Sequence, residues 1–337
     1  MAGLEQYSPF FANPLFTNVI KEVPIKKGYI AHRFLPREET YETKFHESQV
    51  VRQADMANIV SGLAEVPLTD RDPMKAVSGE ISDISQGYVV TKEELGALMD
   101  KGNPQRRKIA ETQLLGKAKT IKENIDARIE WMGWQAMGNG RLIYEKDGIY
   151  LTTDFGLDPA QFKTAATRWD AITGTTIITD YEKWNQDYLD RAGEGADTFV
   201  TSIQVIRTVL NDPAVRKAVS GASEKLLELT ELNKFLIGRQ MAPMEAFDAS
   251  VTYRDVKTGG KRVSQRLLAA NKGVFLKEGK AIGEQLLGPT IENEMNPGIF
   301  AHTIHAELPR RDIIQVVASS FPKVLGPQFI QPCTVLT

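Results

Sequence analysis

The chain has one cysteine, Cys333, among 337 residues. No intramolecular disulfide can form, so the fold must be held by packing and polar contacts, and the chain fits a reducing compartment. Neither sign of charge is in surplus: 41 lysines and arginines stand against 43 aspartates and glutamates, a formal net charge of -2. This excludes a dedicated polycationic grip on nucleic acid or an anionic membrane, while leaving room for a local basic patch. No apolar run approaches the roughly 18 residues that mark a membrane span. The opening stretch, MAGLEQYSPFFANPLFTNVI, is broken by Pro9, Asn13 and Pro14. It lacks the charged start and continuous apolar middle of a secretory leader, and reads as an arm that packs on something. No fixed-period repeat is present.

What is present is an uneven distribution of order. Residues 1 to about 90 show little helical pattern. Pro24, Pro36, Pro67 and Pro73 separate short extended pieces such as ETYETKFHESQVVR, where Tyr41, Thr43 and Phe45 alternate with Glu42, Lys44 and His46. That alternation predicts strands, and so an arm followed by a long two-stranded excursion. A two-stranded ribbon is marginal alone, so this third is expected to have little core of its own and to be held by a partner.

A helix signal follows. Thr91 and Glu94 form a capping-box pattern with Gly102 as its stop, and Asn103-Pro104 opens a second, much longer helix. In it Ala110, Leu114, Ala118, Ile121, Ile125, Ile129, Met132 and Ala136 recur at steps of three and four. This is one continuous apolar stripe over 104–137, about 50 Å long at 1.5 Å per residue. Arg106, Lys117, Lys119, Lys122, Glu123, Asp126 and Glu130 occupy the other faces, read as a charged side. Trp131 and Trp134 are expected to pack on the body.

Beyond Gly140 the signals alternate. RLIYEKDGIYLTTDFG predicts a hairpin turning at Asp147-Gly148. TDYEKWNQDYLDRAG predicts a helix capped by Thr179 and Glu182 and stopped by Gly193; DTFVTSIQVI reads as a buried strand; Asp212-Pro213 opens a helix ending near Gly221. SEKLLELTELNKFLIG reads as an amphipathic helix using Leu226, Leu229, Phe235 and Leu236. Strands follow on both sides of Gly259-Gly260, in KGVFLK and in DIIQVVASS. The fold class is α+β.

Chemistry-bearing patterns are sparse. His302 and His305 in HTIH are the nearest thing to a metal pair, and a metal-dependent enzyme built on them is the alternative reading. Surrounding Pro297, Gly298 and Pro309 argue against a helix, and no second ligand set follows. Lys257, Lys261 and Arg262 make a basic tip around Gly259-Gly260, and DNA binding through the Lys257–Arg262 tip is a further alternative. GNGRL and KTGGKR match no phosphate loop. Cys333 lacks a histidine neighbour in sequence and reads as an unreactive thiol. No catalytic, cofactor-binding or metal residue is assigned.

The order of these parts resembles the major capsid proteins of tailed phages, most closely the lambda-like major capsid protein E family. The resemblance rests on NPLFTNVI with VPIKKGYIA, SDISQGYVVTKEEL, the RRKIAETQLLGKAKTIKENIDARIEWMGWQAMGNGRLIY helix-to-hairpin run with DFG, RWD, DTFVTSIQVIRTVLNDPAV and FPKVLGP. It implies the Hong Kong 97 type capsid fold. Residues 1–27 would be the N-terminal arm and 28–88 the E-loop. Residues 89–160, with spine helix 104–137, would form the peripheral domain, 161–305 the axial domain, and 306–337 the return to the peripheral domain. It further implies self-assembly into hexamers and pentamers of an icosahedral virion shell around double-stranded DNA, assembled in the host cytoplasm. Portal, scaffolding and decoration proteins would be partners, and membranes would not.

Overall fold

A computed structural model describes residues 4–50, 74–100, 102–146, 149–171, 176–255, 261–307 and 310–337. The Asp147-Gly148 turn, the Gly259-Gly260 tip and the middle of the 28–88 excursion fall outside them.

Two short 3-10 turns, Leu4–Gln6 and Pro9–Phe11, lead into α1 (Asn13–Lys21). Strands β1 (Arg37–Glu39), β2 (Lys44–Val50), β3 (Met74–Glu80) and β4 (Ser82–Val89) come next. Helix α2 (Lys92–Met99) carries the expected capping box on Thr91 and Glu94, but it ends at Met99, before Gly102. Helix α3 (Pro104–Asn139) runs 36 residues, with Asn103 accepting from the Arg106 N–H at 3.0 Å. At its end Gly140 takes φ +65, the left-handed conformation that stops a helix at least cost in glycine.

Hairpin β5 (Arg141–Lys146) and β6 (Ile149–Asp154) follows, then β7 (Lys163–Thr164) and α4 (Ile177–Ala192). Helix α4 starts three residues earlier than the sequence suggested, with Thr176 at its cap position, so Thr179 lies inside it and makes no capping box. Strand β8 (Thr198–Thr201) is fully buried but short: Ser202 accepts from the Val205 N–H at 3.2 Å and opens α5 (Ile203–Asn211). Asp212 caps α6 (Pro213–Ser220), and Gly221 ends it at φ +78. Helix α7 (Leu229–Gly238) begins only at Leu229, leaving Leu226 outside it and 78% exposed. The chain closes through β9 (Met244–Ala246), β10 (Ser250–Asp255), β11 (Lys261–Arg266), β12 (Lys272–Leu276), β13 (Gly283–Gly288), β14 (Phe300–Glu307), β15 (Arg310–Val324) and β16 (Ile330–Thr334). Strands β13 and β14 gave no clear sequence signal, and β15 is longer than DIIQVVASS because it serves several partners.

Two five-stranded sheets organise the body. In the first, β15 pairs antiparallel with β14, β13 and β4, and β1 joins β13 in parallel. The second runs β7-β16-β12-β8-β9. Ribbons β2–β3, β5–β6 and β10–β11 are separate two-stranded sheets.

Three apolar clusters lie around them. One joins α3 and the first sheet to Leu4, Phe11, Phe16 and Ile20. Thr17 also exchanges hydrogen bonds with the Ala301 backbone, donating at 2.9 Å and accepting at 3.2 Å. The opening segment therefore docks on its own chain, contrary to the coreless arm expected from sequence. A second cluster gathers Trp131, Trp134, Phe34, Phe45, Phe155 and Phe321. A third lies under α4–α7, around stacked Trp169 and Trp184 with Tyr181, Phe199 and Phe275.

The second sheet is a wall between the last two. Val200, Val274, Leu276 and Ile330 face one cluster, while Phe199, Phe275 and Cys333 face the other. This is the two-residue alternation of strands. At Gly273 any Cβ would collide with the Phe199 ring, so only glycine lets that ring lie over the strand.

Candidate assembly surfaces and the polar clamp on the long helix

All eight residues of the sequence-derived stripe on α3 are buried. So are three of its supposedly solvent-facing charges: Lys122 at 3% exposure, Asp126 at 1% and Glu130 at 3%. They stand four apart, on one helix face. Arg37 approaches Asp126 Oδ1 at 2.8 Å, and Lys122 Nζ approaches Oδ2 at 2.5 Å. Both are at ion-pair distance, though neither has hydrogen-bond angles. Lys122 also donates to the Val23 carbonyl at 2.7 Å. Glu130 Oε1 accepts from the Ile30 N–H at 2.8 Å, the Ala31 N–H at 2.9 Å and Trp134 Nε1 at 2.9 Å.

Apart from Trp134, the partners of this row come from residues about 100 positions away, in the segment that leads toward the β2–β3 ribbon. Buried charges persist only when paired or hydrogen-bonded, and here the pairing straps residues 23–37 to the helix. Burial pushes the Glu130 carboxyl above the ordinary carboxylate range, against the opposing pull of its N–H donors and Arg37. Trp134 stacks on Phe247 at 4.3 Å, which supports the packing role expected for it.

The β2–β3 and β5–β6 ribbons pair with no other described strand. Phe45 roots the β2–β3 ribbon by packing on Phe321 at 5.6 Å. At the base of the same ribbon, Lys44 and Glu80 form an exposed pair at 4.0 Å. Hairpin β5–β6 leaves Ile143 50% and Tyr150 80% exposed. These are surfaces suited to contact rather than to chemistry.

The sequence-derived site residues do not converge. On β14, His302 and His305 are three apart, so strand alternation sends them to opposite faces. His302 stacks on Phe300 at 5.2 Å, and burial lowers its pKa. His305 Nδ1 lies 2.7 Å from Asp312 Oδ1 across the β14–β15 register. Among the described residues, no group of three or more His, Cys, Asp or Glu is placed to hold a metal. Cys333 is buried and its thiol pKa is pushed far up by desolvation. Of the basic tip, Lys261 and Arg262 begin β11, and the remainder lies outside the described residues. Among the described residues, no helix is long and apolar enough to cross a membrane.

A family model described as phage major capsid protein E matches residues 16–308. The chain belongs to the phage major capsid protein E family. Its role is that of a structural capsid protein, and its place is the phage virion. No curated protein matches the chain. Two solved structures share the fold. One, assigned to a prophage capsid of E. coli CFT073, is 14% identical with TM-score 0.59, covering 96% of this chain and 99% of that one. The other, a phage-related protein from Bordetella bronchiseptica RB50, is 11% identical with TM-score 0.56, covering 96% and 98%. The α+β arrangement of this capsid protein is accordingly the Hong Kong 97 type.

The buried row Lys122–Asp126–Glu130 was missed by sequence reasoning. A signal existed: each of the three directly follows a stripe residue, Ile121, Ile125 and Ile129. Opposite charges that shadow an apolar stripe at four-residue spacing suit a polar clamp at the edge of a core.

Proposed function

We propose that this capsid protein self-associates into hexamers and pentamers that tile an icosahedral head around double-stranded DNA. The family match over residues 16–308 carries the reading. Two-stranded ribbons that pair with no other described strand support it, because such elements gain stability by lying against another surface, as on a neighbouring subunit. In this reading residues 1–27 form the arm, 28–88 the E-loop, 89–160 the peripheral domain, 161–305 the axial domain and 306–337 the return strand. The near-balanced charge suits a wall that must not hold the genome too tightly to release it. Portal, scaffolding and decoration proteins are the further partners of such a shell, host cytoplasm is the place of assembly, and no catalytic step is assigned.

Expression of the full chain, followed by size-exclusion chromatography and electron microscopy, tests this. Rings, capsomers or closed shells are expected. A chain that stays a folded monomer at high concentration, with or without the scaffolding protein of its phage, would overturn it.

A further inference from the structure

A three-sided cleft of about 210 Å³ lies where α3, β5 and the β10–β11 ribbon meet. Asn124, Arg128 and Trp131 line it from the helix, Tyr144 from the hairpin, and Val251 and Tyr253 from the ribbon. The Arg128 guanidinium carbon sits 5.0 Å from the Trp131 ring centre and 5.1 Å from that of Tyr144. These two rings meet edge to face at 6.3 Å. These ring contacts consume none of the guanidinium's N–H donors in hydrogen bonds.

Among the described residues, those donors make no hydrogen bond, and no carboxylate lies within 4.0 Å. Glu145 reaches the cleft rim from β5 but stays beyond that distance. Burial lowers the Arg128 pKa, against a smaller opposing pull from Tyr144 and Tyr253, and among the described residues no carboxylate neutralises the cation. A half-buried cation with an unfilled planar fork is matched by a carboxylate, which can take two parallel N–H bonds. The cleft volume is below the roughly 300–1,000 Å³ usual for small-molecule sites and accommodates one or two side chains. Ile143, Glu145, Thr252 and Gln265 also line the cleft, a mixed edge open to an incoming side chain.

We infer that the Arg128 cleft receives an acidic side chain from a second copy of this chain, making it a specific subunit contact. The inference rests on the self-assembly reading above. Its occupant is a carboxylate of the neighbouring subunit, bidentate to Arg128 at the edge of the Trp131–Tyr144 pair.

Two measurements test it. Assembly is compared for the parent, Arg128→Gln, Arg128→Lys and Glu145→Gln, each first checked for folding by circular dichroism. Arg128→Gln is expected to fold as well as the parent and to raise the concentration needed for assembly about tenfold or more. Arg128→Lys, which keeps the charge but loses the fork, should fall between, and Glu145→Gln should assemble normally. Equal assembly by Arg128→Gln and the parent would overturn the inference. Failure of the parent to assemble at all would instead strike the self-assembly reading. Electron cryomicroscopy of the unmodified shell decides independently of any variant. A neighbour's carboxylate within hydrogen-bond distance of Arg128 supports the inference; a cleft filled by Glu145 of the same chain, or by solvent alone, overturns it.

Discussion

The two halves of α3 share one apolar period and live in different surroundings. From Pro104 to Ile121 only Ala110, Leu114, Ala118 and Ile121 are buried, a single narrow line against the first sheet. From Lys122 to Asn139 burial extends nearly around the helix and takes in Lys122, Asp126, Glu130, Trp131, Gly133 and Trp134. The first half is a surface helix resting on a sheet. The second is a core helix wrapped by residues 23–37, the β5–β6 hairpin and the second sheet. Identical spacing thus yields a one-sided contact where neighbours lie on one side, and a fully enclosed one where long-range partners arrive.

Substitutions at the boundary and within each half can break or sharpen this contrast. Ile125→Asp, where the halves meet, places a charge at a site 1% exposed. It should cost more than about 4 kcal/mol and abolish the folded body. A soluble product with native tryptophan fluorescence would show that the stripe faces no core. Asp126→Ala, in the enclosed half, strips Lys122 and Arg37 of their shared partner. A loss of about 3–5 kcal/mol in urea unfolding is expected; a loss under 1 kcal/mol would mean that water reaches the clamp. Leu114→Ala, in the one-sided half, should cost about 2–3 kcal/mol, toward the low end for a buried leucine because flanking exposed residues can relax into the cavity. If it exceeds the Asp126→Ala effect, the ranking of the halves is reversed.

Glu130→Gln should have the smallest effect, within about 1 kcal/mol near neutral pH, since the amide oxygen can still accept from Ile30 and Ala31. Because burial raises the folded-state pKa of Glu130, the native state holds this proton to higher pH than the unfolded chain does. The resulting stabilisation is full below the unfolded pKa and is lost as pH rises through the folded one. Thermal melts of parent and variant between pH 7 and pH 4 should therefore show the parent gaining on the variant with acidification. The opposite trend would mean that the ionised carboxylate is the favoured native form.

The sequence revealed the stripe, the Asn103 cap, the Gly193 and Gly221 stops and the Asp212 cap because each is a local signal, complete within a few residues. The order of parts also pointed to the capsid family. What stayed hidden depends on distant partners. Lys122, Asp126 and Glu130 have the composition of a solvated face, and only Val23, Arg37, Ile30 and Ala31 turn that face into a clamp. The opening segment looked unanchored because its apolar residues are split by prolines. In the fold those breaks divide it into the 3-10 turns and helix that place Phe11, Phe16 and Ile20 on one cluster. Arg128 was indistinguishable from its charged neighbours, since the rings on which it stacks come partly from β5.

The wall formed by the second sheet carries a further implication for how the protein comes apart. Val274 and Phe275 are consecutive, yet they belong to different apolar clusters. A slip of one residue along β12 would send each into the other's cluster, so both sides specify the same register. Neither cluster can loosen without withdrawing the backing of the other. Although α4–α7 and the region around Trp134 look like separate lobes, calorimetry should find them melting in one transition. Force applied at either lobe of an assembled subunit would then be resisted by both.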